Sequence, residues 1–224
     1  LGCSLAMASS AQAQLNTDNI YVGLFGGAGV NFHTGTFDTR DGLISCGYFN
    51  DASSMRWLAG NYLEIPYADK WMFSLRLFYQ RMGAEFTTPT ANPPKVSLED
   101  GTLVTANTDQ VLDTRLDYLN LALVGKYFFY RNWYAALGPC IGYAVRADFT
   151  QKEKILSPAG LKFITGESER TILESDFDNA AAGTSVGLRF SALAAIGVDC
   201  QLSDRFVINP EISYNLAFTK AMTP

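Results

Sequence analysis

The stretch LDYLNLALVGKYFF, residues 116–129, decides the fold class. Large apolar side chains recur in it at every second position, and small or polar side chains fill the positions between. The apolar set is Leu119, Leu121, Leu123, Tyr127 and Phe129, and the opposite set is Tyr118, Asn120, Ala122, Val124 and Lys126. A period of two residues indicates a β-strand whose two faces meet different surroundings.

The same alternation recurs along the chain and predicts seven strands. Their bounds are residues 19–32, 57–66, 71–86, 113–129, 133–149, 183–202 and 205–218. The connections alternate between tight turns, such as YADK at residues 67–70, and long polar stretches. Alternating short and long connections are typical of an up-and-down arrangement in which neighbouring strands are antiparallel.

The composition indicates which solvent meets the apolar faces. Charged residues make up only 17% of the 224 residues, against roughly 25% in soluble domains. The polar faces carry Gly, Ser, Asn and Arg instead of the many charges of a water-facing sheet. Within a bilayer, only a closed barrel satisfies the backbone groups of strands. The sequence therefore predicts an all-β, antiparallel up-and-down transmembrane β-barrel, and the net charge of −5 gives no basic surface for nucleic acid.

The two ends of the chain suggest export and a further strand. Residues 1–13 resemble the end of a signal peptide with an AQA cleavage site, so cleavage after Ala13 would leave a barrel domain at residues 14–224. Lipidation of Cys3 is a rival interpretation. Bacterial barrels have even strand numbers, so an eighth strand is expected beyond Pro224. The predicted location is the outer membrane of a Gram-negative bacterium.

Aromatic side chains are predicted to form two belts at the membrane surfaces. The belt near the tight turns contains Tyr67, Trp71, Tyr127, Phe129, Trp133 and Phe206, and the belt near the long connections contains Phe32, Trp57, Phe86, Phe149 and Phe218.

Charged side chains on the inward faces form the candidate site. Glu64, Arg76, Lys126 and Glu211 lie at similar distances from the tight turns, and their charges sum to zero. The interior of an eight-stranded barrel is just wide enough for side chains to fill it, and buried charges need partners. We predict a lumenal polar network that plugs the barrel, completed by Gln80, Asn120, Arg189 and Asn209.

Several motifs resemble strands of small outer-membrane barrels of the OmpA-like and PorT-like class. They are LDYLNLA at residues 116–122 with KYF at 126–128, NYLEIP at 61–66 followed by Lys70 and Trp71, and GPCIGY at 138–143. The chain departs from the class at Leu121-Ala122, where Leu-Pro is usual. The resemblance implies location and fold, and it allows roles as an anchor, a minor pore or part of an envelope assembly.

The functional prediction is a membrane anchor or scaffold whose long loops contact partners, not an enzyme. A narrow pore for ions or small solutes is the alternative, and a hydrolase at the rim using His33, the single His, is a distant third because no GxSxG motif exists. The partners are outer-membrane lipid and, through a region beyond Pro224, other envelope proteins or peptidoglycan. No cofactor or metal site is predicted, and Cys46, Cys140 and Cys200 are expected to be free thiols.

Overall fold

The computed structural model describes residues 2–10, 20–34, 37–38, 48–90, 94–97, 102–158, 160–163, 167–176, 187–203 and 206–219. Within these ranges every regular element is a β-strand. In chain order they are β1 (Gly2–Ser10), β2 (Tyr21–His33), β3 (Phe37–Asp38), β4 (Tyr48–Phe49), β5 (Ala52–Ala68), β6 (Trp71–Arg81), β7 (Ala84–Pro89), β8 (Lys95–Ser97), β9 (Leu103–Thr105), β10 (Asn107–Tyr130), β11 (Trp133–Ser157), β12 (Glu169–Asp176), β13 (Leu188–Val198), β14 (Cys200–Ser203) and β15 (Phe206–Ala217). No helix in the described part of the chain is long and apolar enough to cross a membrane.

The main sheet curls until its pairings return to the starting strand. Antiparallel pairing runs from β1 through β2, β5, β6, β10, β11, β13 and β15, and β15 pairs with β1. The predicted all-β antiparallel barrel class is therefore confirmed. Tight turns of two residues join β5 to β6, at Asp69-Lys70, and β10 to β11, at Arg131-Asn132.

The segment interpreted from sequence as a signal remnant lies in this ring. Gly2–Ser10 pairs with β15 on one side and with β2 on the other, in the position that the predicted closing strand would take. Cleavage after Ala13 and a strand beyond Pro224 stay predictions.

The apolar faces point away from the lumen, and the polar faces point into it. Leu77, Leu121 and Ile212 are 42%, 48% and 53% exposed on the outside, so no second sheet buries them. Asn120 and Lys126, which alternate with the leucines of β10, are fully buried inside. A continuous apolar exterior of this extent marks a membrane surface. Strands β2, β6, β13 and β15 have 13, 11, 11 and 12 residues, close to the roughly 9–11 that a membrane-crossing strand needs.

Two strands continue beyond the ring and form a projection. β10 and β11 have 24 and 25 residues, and their outer halves pair with β7 and β12 respectively. We call the outer halves of β10 and β11 with β7 and β12 the outer projection. An apolar cluster fills the junction between ring and projection: Phe49, Met82, Ala84, Phe86, Leu112, Leu116, Tyr118, Ala147 and Phe149.

Two members of the predicted outer aromatic belt belong to this cluster instead, so their assignment was wrong. Phe86 is 4% exposed because it shares the inward parity of Phe78 and Gln80. Phe149 is 8% exposed because an irregularity in the β10–β11 register leaves Val145 without a ladder partner and reverses the alternation beyond it.

Candidate functional site: the lumenal polar network

An ion pair between Arg76 of β6 and Glu211 of β15 crosses the lumen. The guanidinium donates from Nη1 to Oε1 at 2.7 Å and from Nη2 to Oε2 at 2.8 Å, so both carboxylate oxygens are held in the two-pronged geometry that Arg favours. The phenol of Tyr134 donates to Oε2 of Glu211 at 2.9 Å, and Nε of Arg76 donates to the hydroxyl of Ser74 at 3.3 Å. All four side chains are buried, and the pair joins strands on opposite sides of the ring.

A second ion pair lies beside the first and is centred on Lys126 of β10. Its ammonium donates to Glu64 at 2.9 Å and lies 3.8 Å from a carboxylate oxygen of Asp199. It also lies over the ring of Tyr134, 4.1 Å from the centroid, where the ring's negative face attracts a cation. Asn209 donates to Asp199 at 3.0 Å. Tyr134 thus contacts both ion pairs, and the two form one layer, which we call the ion-pair layer.

The backbone leaves room for this layer at Gly197. A Cβ there would overlap the phenol of Tyr134 and lie 2.9 Å from the carbonyl oxygen of Pro210. The register pairs Gly197 with both Tyr134 and Glu211. Because Gly197 has no side chain, the phenol of Tyr134 on β11 can pass β13 and reach the carboxylate of Glu211 on β15.

The remaining predicted members lie apart from the ion-pair layer, around Arg189. Nη2 of Arg189 is 3.3 Å from Oδ1 of Asn120 and 3.5 Å from Oε1 of Gln80. The guanidinium stacks over Tyr118 at 4.9 Å and contacts the sulfur of Met82. The structure thus brings Glu64, Arg76, Lys126, Asn209 and Glu211 together, and gathers Gln80, Asn120 and Arg189 in a second group.

Sequence reasoning missed two members of the ion-pair layer. Tyr134 has the same inward parity as Ala136 and Cys140, so the alternation of β11 contained the signal that could have identified it. Asp199 lies between β13 and β14, where regular alternation is interrupted, and its backbone pairs with Asn132 of the turn between β10 and β11. No periodic signal marks such a residue.

Apart from Phe86 and Phe149, the predicted belt residues face outward wherever their side chains are described. Those side chains are 36–75% exposed: Phe32, Trp57, Tyr67, Trp71, Tyr127, Phe129, Trp133 and Phe218. The indole of Trp71 packs on the ring of Tyr127 at 4.8 Å. Phe206 begins β15, and its side chain lies outside the described part.

The proposed hydrolase residue His33 has structural partners. Its Nε2 is 2.7 Å from Nδ2 of Asn31 and 2.9 Å from the carbonyl oxygen of Met82. Its ring also contacts Phe86 edge to face. Among the hydrogen-bond partners found for it in the described residues there is neither a serine nor a carboxylate, so they do not form a triad.

Two of the three cysteines considered lie in the described part. Cys140 is buried and Cys200 is exposed, and both are free thiols. Cys46 lies outside the described residues.

The outer projection carries a second polar cluster. Glu153 is 3% exposed and accepts hydrogen bonds from Thr108 at 2.8 Å and from Nε and Nη2 of Arg170 at 2.8 and 2.6 Å. On the exposed side, Lys152 donates to Glu169 at 2.7 Å. This contact raises the pKa of Lys152 and lowers the pKa of Glu169. The cluster and the pair join β12 to β10 and β11.

An apolar exterior, a curled antiparallel sheet and a charged interior define a transmembrane β-barrel. The family comparison specifies the class: the model described as "Outer membrane protein beta-barrel domain" matches residues 11–222. The chain belongs to this family, and its location is the outer membrane. No curated protein matches the chain.

Among solved structures, the chain is similar to the outer membrane protease OmpT from Escherichia coli. The identity is 9%, the TM-score is 0.41, and the match covers 96% of each chain. This finding overturns the exclusion of enzymes made from sequence, because a protease stands among the similar chains. At this TM-score and identity the likeness carries no argument for protease activity in this chain.

Proposed function

We propose that this protein is an outer-membrane anchor of the small, OmpA-like kind, which holds the outer projection in place for contact with envelope partners. The observation that carries the proposal is the ion-pair layer. Arg76, Glu211, Lys126, Glu64 and Tyr134 reach across the lumen from five strands of the ring and contact each other there. Passage of a solute would require these contacts to break, which would leave buried charges without their partners and is therefore strongly unfavourable.

The size of the outer projection supports the partner role. At about 3.3 Å per residue, the 25 residues of β11 extend for roughly 80 Å, whereas a membrane span uses only about ten residues. The projection is a paired sheet held by the Glu153–Arg170 contacts. A rigid element of this reach presents a preformed surface outside the membrane.

A narrow pore is the second candidate, favoured by the two groups of polar side chains inside the lumen, one at the ion-pair layer and one around Arg189. Planar-bilayer recordings separate the two candidates. We expect no current from the parent protein, whereas a pore would give discrete openings. Arg76→Ala tests whether the ion-pair layer is the seal, with Arg146→Ala in the projection as control. Absence of current from both parent and Arg76→Ala excludes the pore, and parent currents refute the sealed anchor.

Partner contact is tested by site-specific photo-crosslinking in cells. A crosslinker at Lys154, on the exposed face of the projection, should give discrete adducts with envelope components. The control position is Tyr67, which is 75% exposed at the opposite end of the ring. Equal adduct patterns from both positions, or none from Lys154, would contradict the partner role.

Export through a cleaved signal is part of the proposal. The family match begins at residue 11 and leaves out Gly2–Ser10, which supports cleavage near the AQA sequence. Mass spectrometry of the protein from outer membranes should give an N-terminus at Gln14. A lipid-modified N-terminus at Cys3 would support the rival interpretation.

A further inference from the structure

Arg189 is a buried cation in the outer half of the lumen. It lies in β13 opposite Gly142 of β11, which in turn pairs with Asn120 of β10. A Cβ at Gly142 would come within 2.6 Å of the Asn120 amide oxygen, so the glycine gives this amide the room to face the guanidinium. Arg189 is 3% exposed.

No carboxylate neutralises Arg189 in the part of the chain that the structure describes. Its hydrogen-bond acceptors are two amide oxygens and a thioether sulfur, from Gln80, Asn120 and Met82. By contrast, Arg76 and Arg170 each donate twice to a glutamate. A buried charge without a counter-charge is strongly unfavourable, and an anion bound beside Arg189 would supply that counter-charge.

Three buried polar groups around this cation have no hydrogen-bond partner among the residues that the structure describes. They are Nε of Arg189, Nε2 of Gln80 and the hydroxyl of Tyr118. The register places Gln80 directly opposite Tyr118 on adjacent strands, and Arg189 contacts both side chains. All three groups can donate a hydrogen bond. Several unused donors beside one unpaired cation form the arrangement that binds an anion.

We propose that Arg189, Gln80 and Tyr118 form a binding site for a small inorganic anion of the halide class, such as chloride. Arg189, Gln80 and Tyr118 are 3%, 1% and 0% exposed, so the site is enclosed by protein, which favours a single small ion over an organic anion. A water molecule in the same place would accept hydrogen bonds from these donors but would not neutralise the charge of Arg189. The site is independent of the ion-pair layer, whose carboxylates already have cationic partners.

The experiment measures chloride-dependent stability and locates the ion. Urea midpoints of the parent are recorded in chloride and in gluconate at constant ionic strength, and crystals grown in bromide are examined for anomalous scattering. We expect a higher midpoint in chloride and a bromide peak within hydrogen-bond distance of Arg189. Arg189→Gln should abolish the chloride dependence, and Arg189→Lys should retain part of it. The control Arg146→Gln removes an exposed cation that pairs with Asp148 and should keep the parent response.

Each contrary outcome overturns the proposal. These outcomes are equal parent midpoints in chloride and gluconate, a chloride dependence that survives in Arg189→Gln, and a bromide peak absent from the site or replaced by water. The crystallographic measurement uses only the parent protein, so a failure of Arg189→Gln to fold does not protect the proposal.

Discussion

Removing one charge of the Arg76–Glu211 pair should destabilise the barrel far more than removing both. Arg76→Met leaves Glu211 buried, with Tyr134 as its remaining hydrogen-bond donor, and the expected loss is about 3–5 kcal/mol. Glu211→Gln leaves the buried guanidinium without its counter-charge, and we expect a loss of the same order. In the double variant neither charge remains, so we expect it to lose less stability than either single variant, which requires a coupling larger than one single loss, about 3–5 kcal/mol or more.

Reversible urea unfolding from lipid vesicles measures these losses. The tryptophans Trp57, Trp71 and Trp133 are about half exposed on the outer wall, so their fluorescence reports departure from lipid. The control is Arg146→Met, which removes a solvated cation of the projection and should have little effect. A double variant whose loss equals the sum of the two single losses would refute the reasoning, because the pair would then contribute no coupling.

Three other predictions follow from packing, lipid contact and charge. Gly197→Ala should lower stability by about 1–3 kcal/mol because its methyl would overlap the phenol and a carbonyl beside it, whereas Gly187→Ala has nothing within 4 Å of its Cβ and should be neutral; equal midpoints would contradict this. Leu121→Arg should cost about 2–4 kcal/mol in vesicles because it places a charge in the lipid-facing wall, and Leu121→Met is its control; a neutral Leu121→Arg would remove the membrane assignment of that face. Glu169 has a pKa below its usual value, so its ion pair with Lys152 contributes to stability above the usual pKa of a glutamate, and this contribution is lost as the pH falls through the lowered pKa. In Lys152→Gln, the NMR titration midpoint of Glu169 should therefore move to higher pH. An unchanged midpoint would contradict the contact.

The orientation of the strand faces could be predicted because lipid and lumen impose opposite demands on alternate positions. Leu121 and Asn120 are adjacent in sequence and differ completely in exposure. The pairing of particular charges could not be predicted, because it depends on how far each strand is shifted against its neighbour. Alternation therefore placed Arg76 and Glu211 inside but did not reveal that they face each other.

Alternation also failed where the ladder is interrupted. Phe149 reverses its side beyond the irregularity at Val145, and Asp199 enters the lumen from a break between strands. The role of the Gly2–Ser10 segment, which has few large side chains, is equally ambiguous from composition, because the same apolar and small residues suit a signal peptide and a membrane strand.

Strand β1 lies between β2 and β15, so its removal would open the barrel at this point. Nine residues of β1 pair with each of these strands, so excision of that segment would leave two rows of backbone groups without partners in lipid. If the predicted cleavage after Ala13 occurs, another strand must take the place of β1 between β2 and β15 to close the barrel. The order of cleavage and barrel closure would then determine which strand completes the ring.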